Sequence, residues 1–536
     1  MARLRLTHLG SRATALSAVG LALCLLSGCA VTDADLQRWE GTQRGPVKLV
    51  AVVTHDKYSI DLRANALLSL IRMPARSGTR VGIGLLTDRH KDENGDDVDG
   101  ALVSINEEDR KKILAAATPE LVKQITAPPP PRNPDGTLAP DPSIPYKDAA
   151  FALISNKPPL VTDPERAELV KALITWLNTD FQDRIENSSQ QYGVEQIMRT
   201  LGADAAKGLP DLVKEETTRV DRVISLVNDI GDAETKKKTA AALVKLAQQL
   251  ESPEWNAAQK KIVEEHNAKS NTKATPEQVQ GQIDKIRERR FTEEIFPSMK
   301  KIGQDRQIVD ALLAYASNSK LPEDRRKLAL AALEGHADKT VTSDGDKLFA
   351  IAKDDQTPDS VRDLAFTRLG ELPKEQVLPK VYTLFESSKW KVRWVAASMV
   401  LKMIEPKDLP TFFSKLPSTN RVKQGFTESL SYGELITKLD PNGKPKPKDV
   451  VVSELRSKSF GAKMTAIGFF YKGSKADEGL LTPLAADKDT VPVCDKEDEC
   501  LWQCDVPKAG NAKETETREV KTVGEVVTYC ILPTLK

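Results

Sequence analysis

The sequence predicts an all-α protein, an α-solenoid of stacked helix pairs, ended by a small disulfide-stapled C-terminal cap with room for a β-hairpin. Three observations predict it. A phrase recurs in tandem, Val361-Arg362-Asp363-Leu364-Ala365 and Val392-Arg393-Trp394-Val395-Ala396, and a recurring unit decides architecture before any single element does. The composition, 5% aromatic and 29% charged over 536 residues, favours layers filled by alanine and leucine over a β-sandwich or an enzyme barrel. Four cysteines gather in the last 43 residues, where the helical pattern ends.

The repeat is clearest between Asp346 and Met403, which reads as two helix pairs: Asp346–Lys353 with Pro358–Leu372, and Glu375–Glu386 with Lys391–Met403. In the last of these the apolar residues Val392, Val395, Ala396, Met399, Val400 and Met403 follow the 3.6-residue period of one helix face. Val377, Leu378, Val381, Leu384 and Phe385 do the same in the helix before it. Thr357 is placed to cap and Pro358 to open the second helix of its pair. A basic residue three before an alanine recurs at Arg63, Lys238, Arg326, Arg362, Arg393 and Lys463. On these residues the chain resembles the HEAT-repeat family of α-solenoids, and the resemblance implies that the arginines belong to a polar ladder between repeats. The tetratricopeptide pattern of Trp, Leu-Gly and Tyr is missing.

Taken in order, residues 1–28 read as an export signal, with Arg3, Arg5 and Arg12 ahead of an apolar run, Ala13–Leu26, too short to span and remain. It ends Leu26-Ser27-Gly28-Cys29, which resembles a bacterial lipobox. That resemblance implies a lipoprotein: cleavage before Cys29, a diacylglycerol on its sulfur and an acyl chain (palmitate is the expected kind) on its nitrogen. Several acyl chains anchor stably where one does not. Ala30 follows, and by the family's sorting rule an Asp there would retain the protein in the inner membrane, so the outer membrane is expected. An ordinary secretory signal with a chance cysteine is the alternative. Of the 78 Lys and Arg, three leave with the signal, so 75 basic face 77 acidic residues, a balance that argues against nucleic acid as a partner.

Residues 29–43 read as the lipidated N-terminus and a short tether, and 44–250 as N-terminal helical repeats opening with Pro46–Thr54 and Ile60–Met73, on which Trp39 is expected to pack. Asp88–Gly100 is polar. Asp92, Asn94 and Asp96 have the spacing of a calcium loop, but Asp97 replaces its glycine and Val103 its glutamate, so a solvated loop and no metal is the expectation. Glu107–Ile125 is helical, and the loop 127–146 carries eight prolines, an extended excursion. Helices are expected again at Asp148–Ser155, Asp163–Leu177 (with Asp163 as its cap), Gln190–Leu201, Ala205–Glu216 and Arg219–Ile230. Residues 251–290 are charged with few apolar anchors and read as a helical insertion, either a hairpin or an arm.

Residues 291–489 read as C-terminal HEAT-like repeats and 490–536 as a Cys-rich cap. Cys494, Cys500, Cys504 and Cys530 are an even set in an exported chain, so two disulfides are expected, in any of three pairings. A four-thiolate zinc site is the rival, and it lacks paired Cys-x-x-Cys spacing. Glu499–Val506 and Thr515–Val523 alternate as two short strands, and Val520–Leu532 can close the last pair.

No catalytic constellation stands out. The histidines left after the signal, His55, His90, His266 and His336, form no His-Glu-x-x-His, and neither a Gly-x-Ser-x-Gly elbow nor a phosphate loop is present. No cofactor is implied. Trp390 and Trp394 share one helix face and are either core or, if exposed, an aromatic anchor for a partner. The resemblances imply a non-catalytic docking scaffold in the cell envelope, held to the membrane by lipid on Cys29, with other envelope proteins as partners. An enzyme on a HEAT-like frame, such as a lyase, and a passive spacer are the alternatives.

Overall fold

The computed structural model describes residues 31–536 except 76–79, 93, 136, 138, 180–191, 218, 271–272, 418–424, 493–501 and 509–510. Cys29, Cys494 and Cys500 therefore lie outside the described residues. The chain divides into two units, Met1–Ala242 and Leu243–Lys536, and both are built of helix pairs.

In the first unit, α1 (Asp33–Glu40), α2 (Gly45–Thr54) and α3 (Ile60–Arg72) pack on one another. Helix α1 occupies the stretch expected to be tether. It is held by one buried residue, Leu36, and by Asp35, whose carboxylate accepts from the Thr32 amide at 3.1 Å and hydroxyl at 2.9 Å. A single apolar anchor leaves no period to read. Helix α4 (Val81–Thr87) crosses α3 so closely that a Cβ on Gly82 would lie 2.0 Å from the Leu70 carbonyl oxygen. The two-stranded ribbon of β1 (His90–Lys91) and β2 (Asp97–Val98) holds the polar loop, and α5 (Glu107–Ile125), α6 (Ile144–Ser155) and α7 (Glu165–Asn178) follow. Pro164, not Asp163, stands at the N-cap of α7, without a side-chain cap bond. Beyond α8 (Val194–Leu201) the expected helix 205–216 is not formed. Gly208 and Pro210 break it into single turns at Ala203–Ala206 and Leu209–Leu212. Helices α9 (Val220–Ile230) and α10 (Ala233–Leu250) complete the run, and the division between the units falls within α10.

In the second unit, α11 (Pro253–Lys269) and α12 (Pro276–Arg290) form an antiparallel hairpin over the charged stretch. Its apolar contacts are few, Trp255, Val263, Val279 and Ile283, and side-chain amides supplement them. Asn256 and Gln280 bond reciprocally at 3.2 Å, and Arg287 donates to Asn256 at 2.7 Å and to the Leu250 carbonyl at 2.9 Å. The array then runs α13 (Phe296–Ile302), α14 (Arg306–Ser317), α15 (Glu323–Ala332), α16 (Thr342–Lys353), α17 (Asp359–Leu369), α18 (Lys374–Val381, prolonged by a 3₁₀ turn to Glu386), α19 (Trp390–Met403), α20 (Leu409–Lys415), α21 (Phe426–Ile436), α22 (Pro447–Glu454) and α23 (Phe460–Phe469). Lys347–Asp310 (3.1 Å), Lys380–Asp346 (2.9 Å) and Lys389–Asp355 (3.3 Å) pair residues one repeat apart on the surface. Helices α21 and α23 meet backbone to backbone: a Cβ on Gly468 would lie 2.4 Å from the Ser429 carbonyl oxygen.

The cap pairs β3 (Gln503–Lys508) with β4 (Asn511–Glu519), and helical turns from Val523 to Thr534 follow. Cys504 and Cys530 are joined, which ties the ribbon to those turns. The last residue closes on the array, the Lys536 carbonyl accepting from the Lys475 amide at 2.7 Å. This covers the final apolar face, which in a stacked array has no following repeat.

Candidate interaction surface

The basic residues of the repeated phrase act first within their own helix pair. Arg63 Nε donates to the Val53 carbonyl at 2.8 Å, Arg326 Nε to Ala316 at 2.9 Å, Arg362 Nη2 to Asp354 at 3.0 Å, and Arg393 Nη1 to Ser387 at 2.7 Å. Each of these carbonyls lies at the C-terminal end of the pair's first helix, where the last carbonyls have no partner within the helix. Three guanidinium groups then reach the next pair: Arg63 to Asp109 (2.9 Å), Arg326 to the Thr357 hydroxyl (3.4 Å) and Arg393 to both oxygens of Glu428 (3.0 and 2.9 Å). Lys463 holds Asp487 and Asp489 in the turns that follow. The five side chains are buried, and the alanine three residues on (Ala66, Ala329, Ala365, Ala396, Ala466) is 0% exposed in every case. Lys238 departs from this pattern, because it lies on the surface paired with Glu234. Thr357 does not cap α17; its hydroxyl joins Asp354 (3.0 Å) to Arg326.

With the five basic residues of the repeated phrase used internally, one large aromatic among the described residues stands exposed. Trp394 is 39% exposed, and Trp390, one turn before it on α19, is half-buried. The buried side of α19 is defined by Val392, Arg393, Ala396, Ala397 and Val400, which leaves 390, 391 and 394 facing outward together. Charge of both signs rims the pair: Lys391 reaches Asp359 at 3.6 Å, and Lys389 donates to the Asp355 carbonyl at 2.8 Å. Burial pushes the neighbouring Asp363 carboxyl above its ordinary value. An aromatic anchor within a polar rim is the anatomy of a protein-binding hot spot.

Two clefts are notable among the described residues. One of about 450 Å³ is lined by Thr54, His55, Asp56, Ser104, Asn106 and Asp109. Its groups are committed elsewhere. The Ser104 hydroxyl donates to the Ala101 carbonyl, Asp109 holds Arg63, and the His55 ring pairs with the solvent-exposed Asp56. A serine whose proton goes to a backbone carbonyl is not activated by the histidine. The other cleft, about 200 Å³ between α10 and α14, is lined by Val244, Gln248, Ala311, Ala314, Tyr315 and Asn318 and is mostly apolar. In the polar loop, Asp92 accepts from the amides of Asn94 (2.8 Å) and Asp96 (2.9 Å), so its carboxylate is spent on the turn itself. No group of three or more metal-ligating side chains occurs among the described residues, and no described helix is long and apolar enough to cross a membrane.

Three structural residues lie outside the repeated phrase and were not singled out by the sequence pattern. Trp502 is 3% exposed, its ring 5.8 Å from Phe426 and 6.0 Å from Phe460, and it plugs the cap into the last repeats. Its place between two cysteines was the available hint. Glu428, which also accepts from Tyr432 at 2.6 Å, is one carboxylate among 77 acidic residues. Lys147 is wholly buried, Nζ 2.7 Å from the Tyr192 carbonyl and 2.5 Å from Asp148, which also binds Arg80 at 2.9 Å. Burial pulls the Lys147 ammonium down to about 8.

No protein-family model matches the chain, and no curated protein matches it. Among solved structures it is similar to Kap121p bound to Pho4p, at 15% identity and a TM-score of 0.30, over 87% of this chain and 44% of that one. Kap121p bound to Ste12p has 15% identity and a TM-score of 0.27 over the same shares. Importin beta in an ammonium sulfate condition has 12% identity and a TM-score of 0.20, over 89% of this chain and 69% of that one. The chain thus spans less than half the length of Kap121p.

Proposed function

We propose that this protein is a non-catalytic scaffold of the bacterial cell envelope, lipid-anchored through Cys29 at the outer membrane, whose helix-pair array docks other envelope proteins. The observation that carries the reading is Trp394, an exposed tryptophan beside a half-buried one, next to Arg393, which is turned inward and engaged within the array. A passive spacer has no use for such a group, and removing an interface tryptophan commonly costs a partner about 2 kcal/mol or more. The commitment of Ser104, Asp109 and Asp92 to backbone or neighbouring groups supports docking over catalysis.

The test is in-cell crosslinking followed by mass spectrometry, on the native chain and on Trp394→Ala. Recovery of one or two envelope proteins, lost in Trp394→Ala while the chain stays folded, is the expected result. Equal recovery from both would move the docking surface elsewhere, and no partner above background would favour the spacer or the enzyme. Cys29→Ser should leave the membrane fraction; if it remained there, the anchor reading would fail.

A further inference from the structure

Helix α2, Gly-Pro-Val-Lys-Leu-Val-Ala-Val-Val-Thr, is apolar nearly all round, a pattern that belongs to a helix covered on every side. In the structure only one side is covered. Leu49, Val52 and Val53 are buried, whereas Val47 is 48% exposed and Ala51 is exposed with it. Val103, 40% exposed, sits on the turn Ala101–Ser104 that packs against α2. The edge of this face is basic and aromatic: Arg44 and Lys48 are exposed and have no carboxylate partner among the described residues, and Lys48 Nζ stands 5.1 Å from the centre of the Trp39 ring. The carboxylates nearby are occupied, Asp33 by Asn65 (2.9 Å), Asp35 by Arg38 (2.6 Å) and Glu40 by Arg72 (2.6 Å).

The chain that precedes this face indicates what covers it. Cys29 stands four residues before Asp33, the first residue of α1. Fully extended, those residues reach about 14 Å, so a lipid on Cys29 keeps the start of α1, the helix that packs on α2, within that distance of the bilayer surface. We infer that the outer face of α2 is a membrane-contact surface: Val47, Ala51 and Val103 enter the headgroup boundary, and Arg44 and Lys48 meet anionic headgroups. The inference rests on the anchor reading above. It adds that the acyl chains do not merely tether the array but seat its first helix pair against the membrane in one orientation.

The test uses the full chain, matured in cells and reconstituted in vesicles of phosphatidylethanolamine and phosphatidylglycerol. A photoreactive benzoylphenylalanine replaces Val47, Ala51 or, as control, Ile262, which is 56% exposed on α11. Intact mass reads acylation of Cys29, and peptide mass after irradiation reads what was captured. Lipid adducts at 47 and 51 that are lost at 262 are expected. Acylated Cys29 without lipid adducts at 47 or 51 would overturn the contact and leave the anchor standing. Capture of a second copy at 47 would also overturn it, since the face would then be an interface between copies. An unacylated Cys29 would overturn the anchor reading and this inference with it.

Discussion

The pair Arg393–Glu428 links two successive helix pairs, and its removal predicts a reversal of sign. Both side chains are buried, at 2% and 3% exposure, and bond through two oxygens. Glu428 also accepts from Tyr432 at 2.6 Å and from the Gly425 amide at 3.3 Å. Arg393→Met leaves a buried carboxylate without its cation, and breaking such a pair costs about 3–5 kcal/mol. Glu428→Gln alone strands the buried Arg393 cation in the same way and should also cost about 3–5 kcal/mol. In the Arg393→Met background, however, Glu428→Gln removes the stranded charge, while its amide oxygen, placed at Oε1, still accepts from Tyr432 and only the 3.3 Å bond from the Gly425 amide is given up. The double variant should therefore be more stable than Arg393→Met, by roughly 2 kcal/mol. Urea unfolding of the Cys29→Ser chain would measure this. Hydrogen exchange across α21 would accompany it, because a repeat array need not unfold in one step. A double variant no more stable than Arg393→Met would refute the argument that pairing, and not packing, holds this junction.

Three further outcomes follow from the structure. Lys147 is held at about 8 by burial against an ordinary 10.5, so between these values the unfolded chain keeps a proton that the folded chain has released. Its unfavourable contribution is complete below pH 8 and fades as pH rises towards 10.5, so the native chain should gain roughly 3 kcal/mol relative to Lys147→Met across that window. Parallel stability curves for the two chains would contradict this. Gly468→Ala places a Cβ against the Ser429 carbonyl and should cost about 1–3 kcal/mol by overpacking. Gly281→Ala, within α12 with nothing within 4 Å, should instead stabilise by about 0.5–1 kcal/mol, and thermal melting would show the opposite shifts. Cys530→Ser opens a loop of 26 residues and should cost the cap about 2–4 kcal/mol, read as faster exchange across 523–534; unchanged exchange would mean that Trp502 suffices.

The sequence by itself determined the helix pairs and their period. One-faced apolar stripes recur at 3.6 residues, and a basic residue three before an alanine marks where two helices must approach closely. All five buried copies of that phrase place the alanine at full burial, so residue size alone made the junction legible. It also marked the cap, because clustered cysteines and alternating short segments are local signals, and it placed Trp390 and Trp394 on one face. The tertiary structure decided what lies across space. Which cysteine meets Cys504 depends on how the ribbon folds back onto the final turns. That Trp394 faces outward follows from Arg393 turning inward to Glu428, 35 residues away, a pairing no local pattern encodes. Helix α1 escaped because one anchor makes no period, and the helix expected at 205–216 failed because Gly208 and Pro210 outweighed its apolar spacing. Periodicity reports which residues want burial. Only the packed neighbours decide which of them obtain it, and α2, apolar on a face that the described chain leaves open, is where the two differ.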